Sequence, residues 1–239
     1  MFRWLCTLLL QRGWRVEYSA ASDSFTACPE GFKEFYNQRR RWMPSTLANI
    51  ADLLSDYRNV IRNNDDISFP YIIYQIMNMV GTILGPGSIF LMLVGAFNVA
   101  FRISNVDSLL INTVIVTVFV LVCTFCKSDH QVMVAMVLSL VYAIIMMAVL
   151  VGLALQMGED GLLAPTSLSL IFVAGSFIIA GFLHPQEFKC LPMGVIYYIT
   201  IPSMYLLLMI YSIFNLNNVS WGTREVPKSA ADIAAEQAT

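Results

Sequence analysis

Charge is scarce in this 239-residue sequence, and the scarcity is uneven. Only 13% of residues are Asp, Glu, Lys or Arg, where a soluble domain carries about 25%. Residues 1–66 hold nine basic and eight acidic side chains, but residues 67–223 hold three and five. A 157-residue stretch with eight charges is not an ordinary soluble core, and a bilayer is the solvent that suits it. The apolar runs lack Asp, Glu, Lys and His in their interiors, which argues against an ion pump or proton relay. A net charge of -2 gives no sign of a nucleic-acid partner. Clustered cysteine is missing too: Cys6, Cys28, Cys123, Cys126 and Cys190 are scattered. Cys123 and Cys126 form a C-x-x-C inside an apolar run without the second ligand pair that structural zinc needs, so no metal site is assigned to them. No signal peptide is expected in the first residues. Met1-Phe2-Arg3-Trp4-Leu5-Cys6 has no basic n-region and starts in mid-pattern, as a piece of a longer chain would.

What is present falls into a charged head and an apolar body. In the head, Trp4–Gln11 reads as a helix stopped by Gly13, and Trp14–Ala20 alternates between turn residues, as a strand does. About 66 residues is marginal for a domain, so the head is expected to be the last part of a larger α/β domain. Pro29–Trp42 reads as a helix with Pro29 in its first turn and Phe32, Phe35, Tyr36 and Met43 on its apolar face. Pro44 disfavours helix at Met43, so a second amphipathic helix is expected from Ser45 or Thr46, with Leu47, Ile50, Ala51 and Leu54 on one side. Gln38, Arg41 and Trp42 fall at i, i+3 and i+4, which makes one surface patch. Two readings compete for that patch. It is a basic amphipathic helix on an anionic bilayer, or it is a sugar-nucleotide site. In the second reading a guanidinium grips a diphosphate, an indole stacks on a sugar, and an amide reaches hydroxyl or phosphate oxygens.

The body contains five apolar runs bounded by charges, at 67–101, 108–126, 131–158, 162–183 and 190–216. Each is long enough for about 20 helical residues, the length of a crossing. Gly85-Pro86-Gly87 interrupts the first run, which is read as one kinked span. With the arginine-rich head in the cytosol, Lys127 and the His184–Lys189 loop are cytosolic and Arg102 is external. Five crossings then put Ser220-Trp221-Gly222 on the far side. Asn218-Val219-Ser220 matches a glycosylation sequon, though it lies close to the last span. Pro192 and Pro202 are placed to kink the last run, and the methionines read as pliable filling. Tyr71, Tyr74, Tyr197 and Tyr198 are the side chains an uncharged, sugar-compatible tunnel would use. Residues 226–239 receive no function.

Gln38-Arg39-Arg40-Arg41-Trp42 resembles the Q-R-R-R-W signature of chitin synthases, a form of the Q-x-x-R-W pattern of processive family-2 glycosyltransferases. Asn37–Leu54 resembles the same stretch in animal, insect-type chitin synthases. Arg3-Trp4-Leu5-Cys6-Thr7-Leu8 resembles the residues after the E-D pair of their E-D-R-W motif. Ser220-Trp221-Gly222-Thr223-Arg224-Glu225 resembles the S-W-G-T-R-E signature that comes after a cluster of five spans.

The resemblance implies a mainly α membrane protein. Residues 1–28 would be the remnant of an α/β, GT-A-like glycosyltransferase domain. Residues 29–66 would be interfacial amphipathic helices, 67–216 about five transmembrane helices, and 217–239 the second signature and tail. It implies a multi-pass plasma-membrane protein with Gln38–Trp42 on the cytosolic side, and it leaves room for a homo-oligomer. It implies transfer of N-acetylglucosamine from its uridine-diphosphate donor to a growing β-1,4 chitin chain, coupled to extrusion. Gln38 and Arg41 would lie near the donor diphosphate and Trp42 would stack on the acceptor sugar. Arg3, Trp4, Arg39 and Arg40 are carried over as motif neighbours. The family's general-base Asp precedes Arg3, where this sequence has Met1-Phe2, so no catalytic residue is assigned here. The implied Mg2+ or Mn2+ likewise finds no ligands in this chain. What is implied is the function of the parent protein, not activity of this chain by itself. A hyaluronan- or cellulose-type synthase, or a non-enzymatic membrane protein with a lipid-binding basic helix, are the alternatives.

Overall fold

The computed structural model describes residues 2–217 except 18, 20, 23, 24 and 27. It comprises α1 (Phe2–Gln11), α2 (Phe32–Ser55), α3 (Tyr57–Asn63), α4 (Phe69–Phe101), α5 (Asn105–Phe125), α6 (Ser128–Asp160), α7 (Pro165–Leu183), α8 (Met193–Pro202) and α9 (Leu208–Phe214). A 3₁₀ segment, Pro185–Cys190, precedes α8, and a π-helical turn, Ser203–Leu207, joins α8 to α9. The chain divides into two compact units, one running through Ile76 and resuming at Asn215, the other Met77–Phe214.

In the first unit α1 lies against α2 and α3. Leu53, Val60, Ile67 and Ile72 are buried together, with Leu10, Leu54, Tyr57 and Ile61 packed around them. Each such aliphatic side chain contributes about 1.5–3 kcal/mol when fully buried. Polar contacts set the angle of α1. Gln11 Nε2 donates to the backbone carbonyl and the carboxylate of Asp52, both at 3.3 Å. Buried Asn64 donates through Nδ2 to the carbonyls of Leu10 (3.0 Å) and Trp14 (3.3 Å).

Gly13 ends α1, as its position in the sequence predicts. The Gly13 N–H donates to Leu10 O and the Trp14 N–H to Leu9 O, a Schellman pair that satisfies two terminal carbonyls. This requires the left-handed φ of +83° at Gly13, and a Cβ there would lie 2.5 Å from the carbonyl oxygen of Asn63.

Two expectations for the head are corrected. The described part of Trp14–Ala20 is irregular, and no strand occurs among the described residues. A strand needs a partner for its backbone groups. Here Arg15 instead pairs through Nε with Glu17 (3.1 Å) and Asp66 (3.7 Å). The helix expected to end before Pro44 does not end there: α2 starts after Gly31 and runs unbroken through Pro44 to Ser55. Proline contributes no N–H to the ladder, and the next turn is tightened by Thr46 Oγ1 donating to the Trp42 carbonyl at 2.8 Å.

Among the described residues four helices are long and apolar enough to cross a membrane: α4, α5, α6 and the 22-residue course Met193–Phe214. The run 162–183 forms α7, whose described apolar part, Leu170–Leu183, is shorter. Helix α4 passes through Gly85-Pro86-Gly87 as one helix. Ser104 caps α5 by accepting from the Asp107 N–H at 3.1 Å. At the other end of α5, Gln131 Nε2 donates to the carbonyls of Cys123 (2.9 Å) and Cys126 (2.8 Å). The C-x-x-C thus closes a helix terminus whose carbonyls have no helical donor. Helix α6 packs on α5, α7, α8 and the π-turn. Uncharged polar pairs join it to the last span: Ser128 with Tyr211 at 2.8 Å and Ser139 with Ser203 at 2.6 Å. The π-turn comes directly after Pro202, where the lost donor and the ring's bulk favour a wider turn.

Replacing Gly13 with Ala should destabilise the first unit by about 1–3 kcal/mol, the cost of a strained backbone position. A lowered melting temperature of the detergent-solubilised protein checks this, and an unchanged one contradicts it.

Candidate functional site

The middle of α2 carries Gln38-Arg39-Arg40-Arg41-Trp42. A period of 3.6 residues gives the three arginines three different directions. Arg40 continues the stripe of Phe32 and Tyr36, whose rings stack at 4.3 Å, and both Tyr36 and Arg40 are buried, the latter only 3% exposed. Arg39 belongs to the next stripe, between Phe35 at i−4 and Trp42 at i+3. Its guanidinium carbon lies 5.3 Å from the Phe35 ring centroid and 4.4 Å from that of Trp42. Such a cation–π contact contributes about 0.5–2 kcal/mol, more as it is desolvated. Arg41 and Gln38 are half-buried. Trp42 is 45% exposed.

Helix geometry brings Gln38, Arg41 and Trp42 onto neighbouring positions, as their spacing predicts. The guanidinium over the indole nevertheless belongs to Arg39, which the sequence motif marks only as a neighbour. Beyond Trp42 the same side of α2 continues through Ser45 and Asn49 at i+3 and i+7. These two, with Ala48, face Trp4, Leu5 and Leu8 of α1 across an open, mostly apolar groove of roughly 600 Å3. Trp4 is 51% exposed there. The first motif and the turn after Q-R-R-R-W are therefore juxtaposed by the packing of α1 on α2. The sequence motif does not mark Ser45, Ala48 and Asn49, although the register of Ser45 and Asn49 from Trp42 places them on its side of the helix. Arg3 lies in the first turn of α1. The signature Ser220–Glu225 and the sequon at Asn218 lie outside the described residues.

Among the described residues no three His, Cys, Asp or Glu side chains gather as a metal ion would require. The described residues do not fit the divalent cation that the resemblance implies.

Comparison with known proteins decides the family. A family model described as chitin synthase matches residues 2–151. This chain belongs to the chitin synthase family. It is 55% identical over 226 residues to chitin synthase chs-2 of Caenorhabditis elegans, an alignment covering 95% of this chain and 14% of that relative. It is 54% identical over 223 residues to a chitin synthase of Meloidogyne artiellia, covering 93% of this chain and 12% of that relative. It is 46% identical over 228 residues to chitin synthase chs-1 of Caenorhabditis elegans, covering 95% of this chain and 17% of that relative. The chain thus spans less than a fifth of the length of these curated chitin synthases.

The unbroken α2 is what fixes the directions of the arginines, and it can be checked on Pro44. Pro44→Ala restores an N–H to a helix interior and should stabilise α2 by about 1–2 kcal/mol, after allowing for the freer unfolded chain. A rise in melting temperature is expected. A fall would mean that Pro44 marks a real break.

Proposed function

We propose that this chain supplies the acceptor-side and diphosphate-side contacts of a chitin synthase that transfers N-acetylglucosamine from its uridine-diphosphate donor to the end of a growing β-1,4 chain and extrudes the product. The observation that carries the reading is a half-exposed indole, Trp42, held beside a guanidinium in a helix of a chain that belongs to this family. An indole face buries the apolar C–H surface of a sugar ring and fixes its plane. Fixing the acceptor's plane orients the hydroxyl that attacks the anomeric carbon. As the donor's bond breaks, negative charge grows on the departing diphosphate, and Arg41 with Gln38 would meet it through charge-assisted and amide hydrogen bonds. The base that deprotonates the acceptor hydroxyl is not assigned to any residue of this chain.

The segment before α2 would close an α/β glycosyltransferase domain, with Gln38–Trp42 on the cytosolic side of the plasma membrane. Five crossings result if α7 also spans. Its 19 residues measure about 28 Å at 1.5 Å per residue, close to the roughly 30 Å hydrocarbon core. The segment Ser220–Glu225 would then emerge on the far side.

In the full-length enzyme Trp42→Ala should abolish polymer synthesis, by on the order of 10²-fold or more, while uridine-diphosphate binding persists. Arg41→Ala should instead weaken uridine-diphosphate binding about tenfold or more, the value of one charge-assisted hydrogen bond. A Trp42→Ala enzyme with undiminished polymer yield contradicts the proposal.

A further inference from the structure

Two buried side chains of the second unit carry polar atoms that the helices around them do not use. Asn112 of α5 is fully buried, and its Nδ2 donates to the Ser108 carbonyl at 3.0 Å. That donation fixes the orientation of the amide, because an amide oxygen turned toward the carbonyl would be repelled. Oδ1 is left as an acceptor with no partner among the described residues. Tyr142 of α6 is only 1% exposed, and its hydroxyl likewise has no partner among them. Helices α5 and α6 are long and apolar enough to cross a membrane. Lipid offers a hydrogen bond to neither atom, and an unmet polar group there is costly.

Contacts with α4 bring both residues to one junction. The Ser108 hydroxyl, one turn before Asn112, donates to the Val94 carbonyl of α4 at 2.5 Å. One turn further along α4, the buried Phe97 ring meets the Tyr142 ring edge-on, with the centroids 6.3 Å apart. The two unused atoms are complementary, since an amide oxygen accepts and a phenol hydroxyl can donate. They are nevertheless not bonded to each other. Burial this complete leaves no path for a sugar-sized ligand. We propose that the junction of α4, α5 and α6 is a binding site for one water molecule, which donates to Asn112 Oδ1 and accepts from the Tyr142 hydroxyl. Two such partners are the minimum that a buried water needs, and the bridge satisfies both side chains at once. It fastens α5 to α6 where Phe97 of α4 packs, so the seat of α4 depends on an uncharged, water-mediated contact. The inference is independent of the site on α2.

The test uses the full-length enzyme in lipid nanodiscs. A brief X-ray pulse turns bound water into hydroxyl radicals in place, and mass spectrometry then locates the oxidised side chains. Tyr142 should be oxidised although it is buried, and Asn112→Leu should remove that labelling. An unlabelled Tyr142 overturns the proposal. The second readout is the half-life of activity at raised temperature. Tyr142→Phe keeps the ring and deletes only the hydroxyl. If the hydroxyl holds the water, the half-life should shorten about fivefold, the value of one hydrogen bond. An unchanged or longer half-life overturns the proposal, because deleting a hydroxyl that truly lacks a partner costs nothing. Asn112→Leu should shorten the half-life similarly, and the double variant should lie within about twofold of the weaker single one, since the water is lost only once. Fully additive losses would mean that the two side chains share nothing, and would equally overturn it. If Asn112→Leu does not accumulate, the labelling of the unaltered enzyme and the half-life of Tyr142→Phe carry the test.

Discussion

The regular 3.6-residue turn of α2, carried without interruption through Pro44, is the constraint on which the site depends. Consecutive residues on a helix point about 100° apart, so the three arginines of Q-R-R-R-W cannot share one direction. The period buries Arg40 beside Tyr36, lays Arg39 against Phe35 and Trp42, and leaves the indole half in the open. The same period extends that face to Ser45 and Asn49, where α1 brings Trp4 alongside. A helix broken at Pro44 would uncouple these two halves, and the groove would lose its alignment with the indole.

The second unit obeys a different constraint. In a bilayer every backbone polar group must find its partner within the protein. The two ends of α5 show how polar side chains meet this demand. Ser104 caps the start of α5, and Gln131 reaches back to two carbonyls at its end. Between helices, hydroxyl pairs stand where a soluble protein could use ion pairs, as Ser128 with Tyr211 and Ser139 with Ser203. Pro202 is accommodated by a widened turn, which lets one apolar course continue from Met193 to Phe214.

Much of this is legible in the sequence because the signals are strong and local. Long apolar runs locate α4, α5, α6 and the last span, Gly13 announces the end of α1, and three short signatures point to the family that the comparisons establish. What is not legible depends on the balance between local preference and packing. Proline at 44 disfavours helix locally, yet the helical face on both sides has partners to keep, and the helix continues. Alternation over Trp14–Ala20 looks like a strand, but with no neighbouring strand among the described residues the segment turns to Asn64 and Asp66 instead. The arginine that meets the indole is decided by side-chain direction on a helix, which a motif written as letters does not carry. The groove between α1 and α2 joins residues some forty positions apart, and only the packing of two helices reveals it.

The most direct measurement is an experimental structure of the full-length enzyme holding uridine diphosphate and a chito-oligosaccharide. The expected result is a sugar ring parallel to the Trp42 indole at about 4 Å, the van der Waals separation. A Trp42 side chain turned toward lipid, with no sugar in contact with it, would contradict the central claim.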